Sequence, residues 1–211
     1  MKTLVQCDFD GTLTEEDASF LLLDVFADGD WRDLLRQYRE RQITVNHFNT
    51  QAFAMIKADK QTLIDFLKVK IKIRAGFHEL IACCRKKGFQ PVIVSNGLDF
   101  YIEAILKDLG QENIQAFAAQ TQFGPDGIET RYIGPEGDQL EDNFKEAYIR
   151  SFLKKGYRII YLGNGFSDFP AAKEAHHVFA TGELLTYCQK MNLDCTPFAD
   201  LNDVVKALEL L

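Results

Sequence analysis

Leu4-Val5-Gln6-Cys7-Asp8-Phe9-Asp10-Gly11-Thr12-Leu13-Thr14 opens the chain as a short apolar run and turns within a few residues into carboxylates, a glycine and hydroxyls. The apolar part reads as a buried strand and the polar part as its reactive end. On a strand, Asp8 and Asp10 lean to the same side, so two negative charges crowd one spot. Such crowding favours a cation between them. The alternative is a strand with a solvated, Asp-rich turn, and the rest of the chain bears on that choice.

Residues 15–72 repeat apolar side chains at helical spacing, from Phe20, Leu22 and Phe26 through Trp31, Leu35 and Tyr38 to Phe48, Phe53, Leu63 and Leu67. Ala27-Asp28-Gly29-Asp30 and Lys57-Ala58-Asp59-Lys60 interrupt them. One crossover rarely needs so many helices. The spacing therefore predicts a helical bundle at 15–75, inserted straight after the first strand into a core of residues 1–14 and 76–211.

Beyond Gly76 the pattern alternates. Helices are predicted at 77–87, 98–109 and 142–153, through 175, at 184–191 and from 201. Buried strands are predicted at 90–94, 158–162 and 178–180, and residues 115–133, with Gly124-Pro125-Asp126-Gly127 as a turn, read as a strand and a β-hairpin. The expected fold is α/β: a Rossmann-like parallel sheet core with a β-hairpin and the inserted helical bundle.

Composition bounds the function. With 46% hydrophobic residues and 17 Phe, 211 residues can bury a substantial core. A net charge of -7 argues against nucleic-acid binding, which needs clustered Lys and Arg. The five cysteines include no Cys-x-x-Cys pair, so they suggest neither a zinc site nor a disulfide framework. Without a signal peptide or a membrane-length apolar run, a cytoplasmic protein, monomeric or homodimeric, is expected.

Ligands of open parallel sheets bind beyond the carboxyl ends of the strands. Those ends carry Asp8-Phe9-Asp10-Gly11-Thr12, Ser95-Asn96-Gly97 and Gly163-Asn164-Gly165-Phe166-Ser167-Asp168, with Lys145 near a helix start between the last two. Carboxylates, a hydroxyl, amides and one ammonium could together hold a metal ion and a phosphate. Singly, Ser95 and Gly97 fit a plain turn, Lys145 a solvated helix position and Asp168 a helix N-cap.

In this order the four elements resemble the four motifs of the haloacid dehalogenase superfamily of phosphatases, and an insert at 15–75 resembles their type-one cap. Ile73-Arg74-Ala75-Gly76-Phe77, Ser95-Asn96-Gly97-Leu98-Asp99-Phe100 and the Phe179-Ala180 and Leu184-Leu185 tail are similar to the phosphoserine phosphatase-like branch, and most of all to its methionine-salvage enol-phosphate phosphatases. The resemblance implies a phosphomonoesterase acting on a small phosphorylated metabolite. It implies Asp8 as nucleophile, Asp10 as acid and base, and Lys145 as charge partner. It further implies Thr12, Ser95, Asn96 and Gly97 around the phosphoryl group, and Mg²⁺ held by Asp8, Asp10, Asn164 and Asp168. Two positions depart from that family. Asn164 stands where it usually has Asp, leaving either a weaker site or Asp168 as the direct ligand, and Glu141-Asp142-Asn143-Phe144 replaces a longer Cys-containing segment.

Substrate choice should come from the insert. Glu15, Glu16 and Asp17 lie at its start, and Arg32, Arg36, Arg39 and Arg41 within it. The arginines form either a positive patch over the site or an exposed ion-pair face with Asp33 and Glu40. Phe100 and Tyr101 belong either to the pocket or to the core. Asn164 also motivates a second reading, a catalytically silent fold that binds phosphate esters, and phosphoryl transfer to another acceptor is a third.

Overall fold

β1 (Thr3–Cys7) is buried along its whole length and flanked by a parallel strand on either side, β2 (Gln90–Leu98) and β5 (Arg158–Gly163). The chain is seen in a computed structural model describing residues 2–210, so the expected core limits at 1 and 211 lie outside the described residues. With β3 (Gln115–Gly124), β4 (Gly127–Arg131), β6 (His177–Ala180) and β7 (Thr196–Pro197), one sheet forms in the order β4-β3-β2-β1-β5-β6-β7. All neighbours are parallel except the β3–β4 hairpin. The expected α/β sheet is therefore present, with Gly127 at φ +116 closing the hairpin turn.

Four helices fill the segment after β1: α1 (Ala18–Phe26), α2 (Trp31–Arg39), α3 (Val45–Phe53) and α4 (Lys60–Lys70). Each starts where a side-chain oxygen accepts an otherwise orphaned amide: Asp17 from Phe20, Asp30 from Asp33, Thr44 from His47 and Asp59 from Thr62. The segment leaves and rejoins the sheet through one narrow neck, where Thr14 bridges Ile73 and the Glu15 amide donates to the Lys72 carbonyl at 2.9 Å.

The remaining helices are α5 (Phe77–Lys87), α6 (Asp99–Asp108), α7 (Phe144–Lys154), α8 (Phe169–Ala172), α9 (Gly182–Lys190) and α10 (Leu201–Leu210). The apolar faces of α5 and α10 pack together, with Leu80, Cys84, Val204 and Leu208 buried.

The structure departs from the periodicity in three places. Ser95-Asn96-Gly97 is a continuation of β2, not a turn: the register slips between Val94 and Leu98, Ser95 Oγ accepts the Gly97 amide at 3.0 Å, and pairing resumes at Leu98 with Ala119. A side chain thus satisfies the amide that the slip removes from the ladder. The expected helix through residue 175 is a 3₁₀ turn at Phe166–Asp168 followed by the single turn of α8. The two-residue β7 is too short for a periodicity to register.

Candidate active site

The carboxyl ends of β1 and β5 bring Asp8 beside the loop after Gly163, and α7 delivers Lys145 between them. Gln6 helps to seat it, donating from Nε2 to the Lys145 carbonyl at 3.2 Å. Lys145 Nζ then lies 2.8 Å from Asp8 Oδ1 and 2.6 Å from Asp168 Oδ1. Burial lowers the proton affinity of the ammonium, but Asp168 and Asp8 outweigh it and hold Lys145 charged. Burial and then the Asp168 charge push the Asp8 carboxyl up to about 7, opposed by Lys145.

Asp168 has no oxygen to spare. Oδ1 accepts from Lys145 and from the Tyr161 hydroxyl at 2.6 Å, and Oδ2 accepts the amides of Asn164 and Gly165 at 2.9 and 2.8 Å. Expected as a metal ligand, the Asp168 side chain here folds the loop and anchors Lys145. Asp168 occupies the N-cap position of α8 but makes no side-chain capping bond there; Oδ2 instead closes the preceding 3₁₀ turn on the Gly165 amide.

The fully buried Thr12 hydroxyl, expected near the phosphoryl group, lies 3.0 Å from Asn164 Oδ1 and 3.4 Å from Asp8 Oδ2 and brings these two acceptors to one point. Asp8 and Asn164 therefore present side-chain oxygens close to one another. Among the described residues no cluster of three or more His, Cys, Asp or Glu side chains could cage a metal, and Mg²⁺ suits a site with few carboxylates and retained waters. The buried carboxyls of Asp8 and Asp168 share one ammonium, so the charge balance also fits an added cation.

Asp10 sits at the mouth of the neck. Its Oδ1 accepts the Ala18 amide at 3.0 Å and its Oδ2 the Tyr101 hydroxyl at 2.6 Å. Burial first, and the Asp17 charge next, raise its proton affinity well above the ordinary carboxyl value. Ser95 is buried beside the cavity and holds the Gly97 amide, so that amide, expected to bind phosphoryl oxygen, is already engaged. Asn96 reaches into the helical segment, donating from Nδ2 to Asn46 Oδ1 at 3.2 Å, while its carbonyl accepts from Asn49 and Tyr132.

A cavity of about 790 Å³ opens over these groups. Phe20, Leu35, Tyr38, Val45 and Phe48 of the helical segment wall one side, and Phe166 and Tyr187 the other. The arginines divide. Arg32 pairs with Asp24 and Arg36 with Asp33 and Glu40 on the outer face, whereas Arg39 and Arg41 line the cavity, near Glu183 and 2.8 Å from the Tyr187 hydroxyl respectively.

Two contributors take roles that the sequence reading did not assign them. Tyr101 is both core and site, since its buried ring carries the hydroxyl that holds Asp10. Arg74 donates to the carbonyls of Gly11, Thr12, Thr14 and Ala199 and so clamps the Asp8 to Thr14 loop to the neck. A lone arginine has no periodicity or spacing that announces such a role.

The profile of the haloacid dehalogenase-like hydrolases matches residues 5–173. A 2-hydroxy-3-keto-5-methylthiopentenyl-1-phosphate phosphatase of Geobacillus kaustophilus is 30% identical over 96% of this chain and 94% of its own. Its counterpart in Bacillus mycoides is 27% identical over 100% and 98%. Among solved structures, a phospho-aspartyl intermediate analogue of phosphoserine phosphatase superposes with a TM-score of 0.72 at 22% identity, covering 98% of both chains. A substrate-bound phosphoserine phosphatase gives 0.73 at 19% over the same share. At these identities the structural likeness is one of fold.

Proposed function

Because the chain belongs to the haloacid dehalogenase-like hydrolase family, we propose that it cleaves phosphomonoesters with Mg²⁺ through an aspartyl-phosphate on Asp8. It is a phosphoric monoester hydrolase. The observation that carries the finer reading is the buried Asp8–Lys145–Asp168 cluster, whose Asp8 and Lys145 line one cavity together with Asp10.

The Asp8 carboxylate attacks phosphorus as the bond to the alcohol oxygen breaks, and Asp10 gives that oxygen its proton. Ionised Asp10 then takes a proton from the water that attacks the same phosphorus. The phosphorus–oxygen bond to Asp8 breaks, and inorganic phosphate leaves. The raised proton affinity of Asp10 supports its holding a proton for the first step. Lys145 offsets charge on Asp8 and on the phosphoryl group, and Ser95 at the cavity floor is the phosphoryl donor from β2. Asp8, the Asp10 carbonyl and Asn164 would hold Mg²⁺, which when bound supplies positive charge against the phosphoryl oxygens.

Residues 15–75 serve as the lid. Its apolar wall of Phe20, Leu35, Tyr38 and Phe48 supports a substrate with an uncharged tail, which fits the 5-methylthiopentenyl phosphate named for the relatives. All five cysteines are free thiols, which supports a reducing, cytoplasmic setting. The test is phosphate release from a phosphometabolite panel containing that enol phosphate and phosphoserine, with and without Mg²⁺. Turnover is expected for the enol phosphate, abolished by chelation and by Asp8→Asn. Undiminished turnover in Asp8→Asn would overturn the nucleophile, and preference for phosphoserine would overturn the substrate.

A further inference from the structure

The Tyr101 hydroxyl joins the lid to the proton donor. With Asp10 ionised, the Tyr101 hydroxyl donates to its Oδ2 at 2.6 Å, which leaves Ser19 Oγ, 2.9 Å away, as the donor to the Tyr101 oxygen. A directed chain therefore runs from Ser19 on α1 through Tyr101 on α6 to Asp10 at the end of β1. The other oxygen of the carboxyl is held by the Ala18 amide, again on α1, at 3.0 Å. Packing fixes where the hydroxyl stands, because the Tyr101 ring lies edge-on to Phe100, with centroids 5.5 Å apart, and against Phe9 at 6.2 Å. Space for the contact depends on Gly97: a Cβ there would fall 2.0 Å from Tyr101 Oη and 2.3 Å from Asp10 Oδ2.

A buried tyrosine hydroxyl needs some partner, and a carbonyl would serve. Here it meets the carboxyl assigned to proton transfer. With the Ala18 amide alone, that carboxyl could turn about its terminal torsion, which is broad and soft. Two donors from two elements, one on each oxygen, set its plane and its direction.

We propose that Tyr101 is a positioning residue for the acid/base carboxyl: held by Ser19, it aims Asp10 at the leaving oxygen when α1 is seated on the core. The proposal rests on the assignment of Asp10 as proton donor. It predicts a defect confined to esters whose leaving group needs a proton.

The experiment compares kcat/KM for phenyl phosphate and p-nitrophenyl phosphate with Mg²⁺ in the wild type, Tyr101→Phe, Ser19→Ala and Asp10→Asn. The two esters have similar shape, but p-nitrophenolate departs without protonation. Tyr101→Phe keeps the ring packing and should lower kcat/KM for phenyl phosphate about 10-fold or more. p-Nitrophenyl phosphate should change by less than about 3-fold. Ser19→Ala should act in the same sense and more weakly. Equal losses on both esters, or no loss on either, overturn the proposal. Asp10→Asn separates it from its premise: phenyl phosphate turnover surviving in Asp10→Asn removes the donor assignment itself. If Asp10→Asn is inactive on phenyl phosphate while Tyr101→Phe shows no leaving-group dependence, only the positioning role falls.

Discussion

Lys145 Nζ stands 2.8 Å from Asp8 Oδ1 with both side chains almost wholly out of solvent. The same ammonium holds Asp168, which is fully buried. Lys145→Met would leave two carboxylates in the interior without their counter-charge. Removing one partner of a buried pair typically destabilises by about 3–5 kcal/mol, and a loss in that range is expected in urea unfolding at neutral pH. A loss under about 1 kcal/mol, the ordinary scale of an exposed pair, would show that water or relaxation replaces the lysine.

Asn164 and Asp8 converge on the Thr12 hydroxyl, whereas Asp168 has its acceptors filled. Asn164→Ala should therefore weaken Mg²⁺ binding, and Asn164→Asp should strengthen it by adding a charge, each by about 10-fold or more. Isothermal calorimetry on the protein without substrate reads both. Unchanged affinity in the two variants would take Asn164 out of the metal site.

Arg74 serves four carbonyls with one planar guanidinium, at 2.7 Å to Gly11, 2.9 Å to Thr12, 3.3 Å to Thr14 and 2.9 Å to Ala199. Lysine cannot reproduce that fork. Arg74→Lys should lower stability by about 1–3 kcal/mol and speed hydrogen exchange at the amides of residues 11–14. Exchange at the wild-type rate there would mean that the loop holds its shape without the clamp.

Asp17 caps α1 and is pushed up to about 6, chiefly by burial. An unfolded chain titrates the same carboxyl near about 3.9. The folded state thus holds the proton more tightly, so this contribution to stability is full below about pH 4 and is lost as pH rises through about 6. Asp17→Asn keeps a good N-cap and removes the titration. Its melting temperature should gain on the wild type as pH rises across that window, read by thermal unfolding at pH values on either side. Parallel curves for the two proteins would refute the assignment.

Much of this was legible in the chain. The apolar run ending in Asp8-Phe9-Asp10-Gly11-Thr12 marks a buried strand with a reactive end, and the switch from helical spacing at 15–75 to alternating helix and strand after Gly76 marks the insert and the sheet. These are signals of period and of turn chemistry, carried by neighbours in sequence. They identified Asp8, Asp10, Ser95 and Asn164 as groups at strand ends and Lys145 as one near a helix start, and the structure gathers those groups at one cavity.

What the sequence could not assign is which partner each group takes. Asp168 reads equally as a ligand, a cap or an anchor until Lys145, Tyr161 and two amides close on it. Ser95-Asn96-Gly97 reads as a turn until the slipped register of β2 shows its amide held by a side chain. The opening stretch by itself determined a strand whose carboxyl end delivers two carboxyls. Only the tertiary structure gave Asp8 its ammonium, 137 residues away in sequence, and Asp10 its tyrosine, 91 residues away. Period and propensity act over a few residues, while a carboxyl's charge, direction and proton affinity are set by whatever the fold packs within about 4 Å of it.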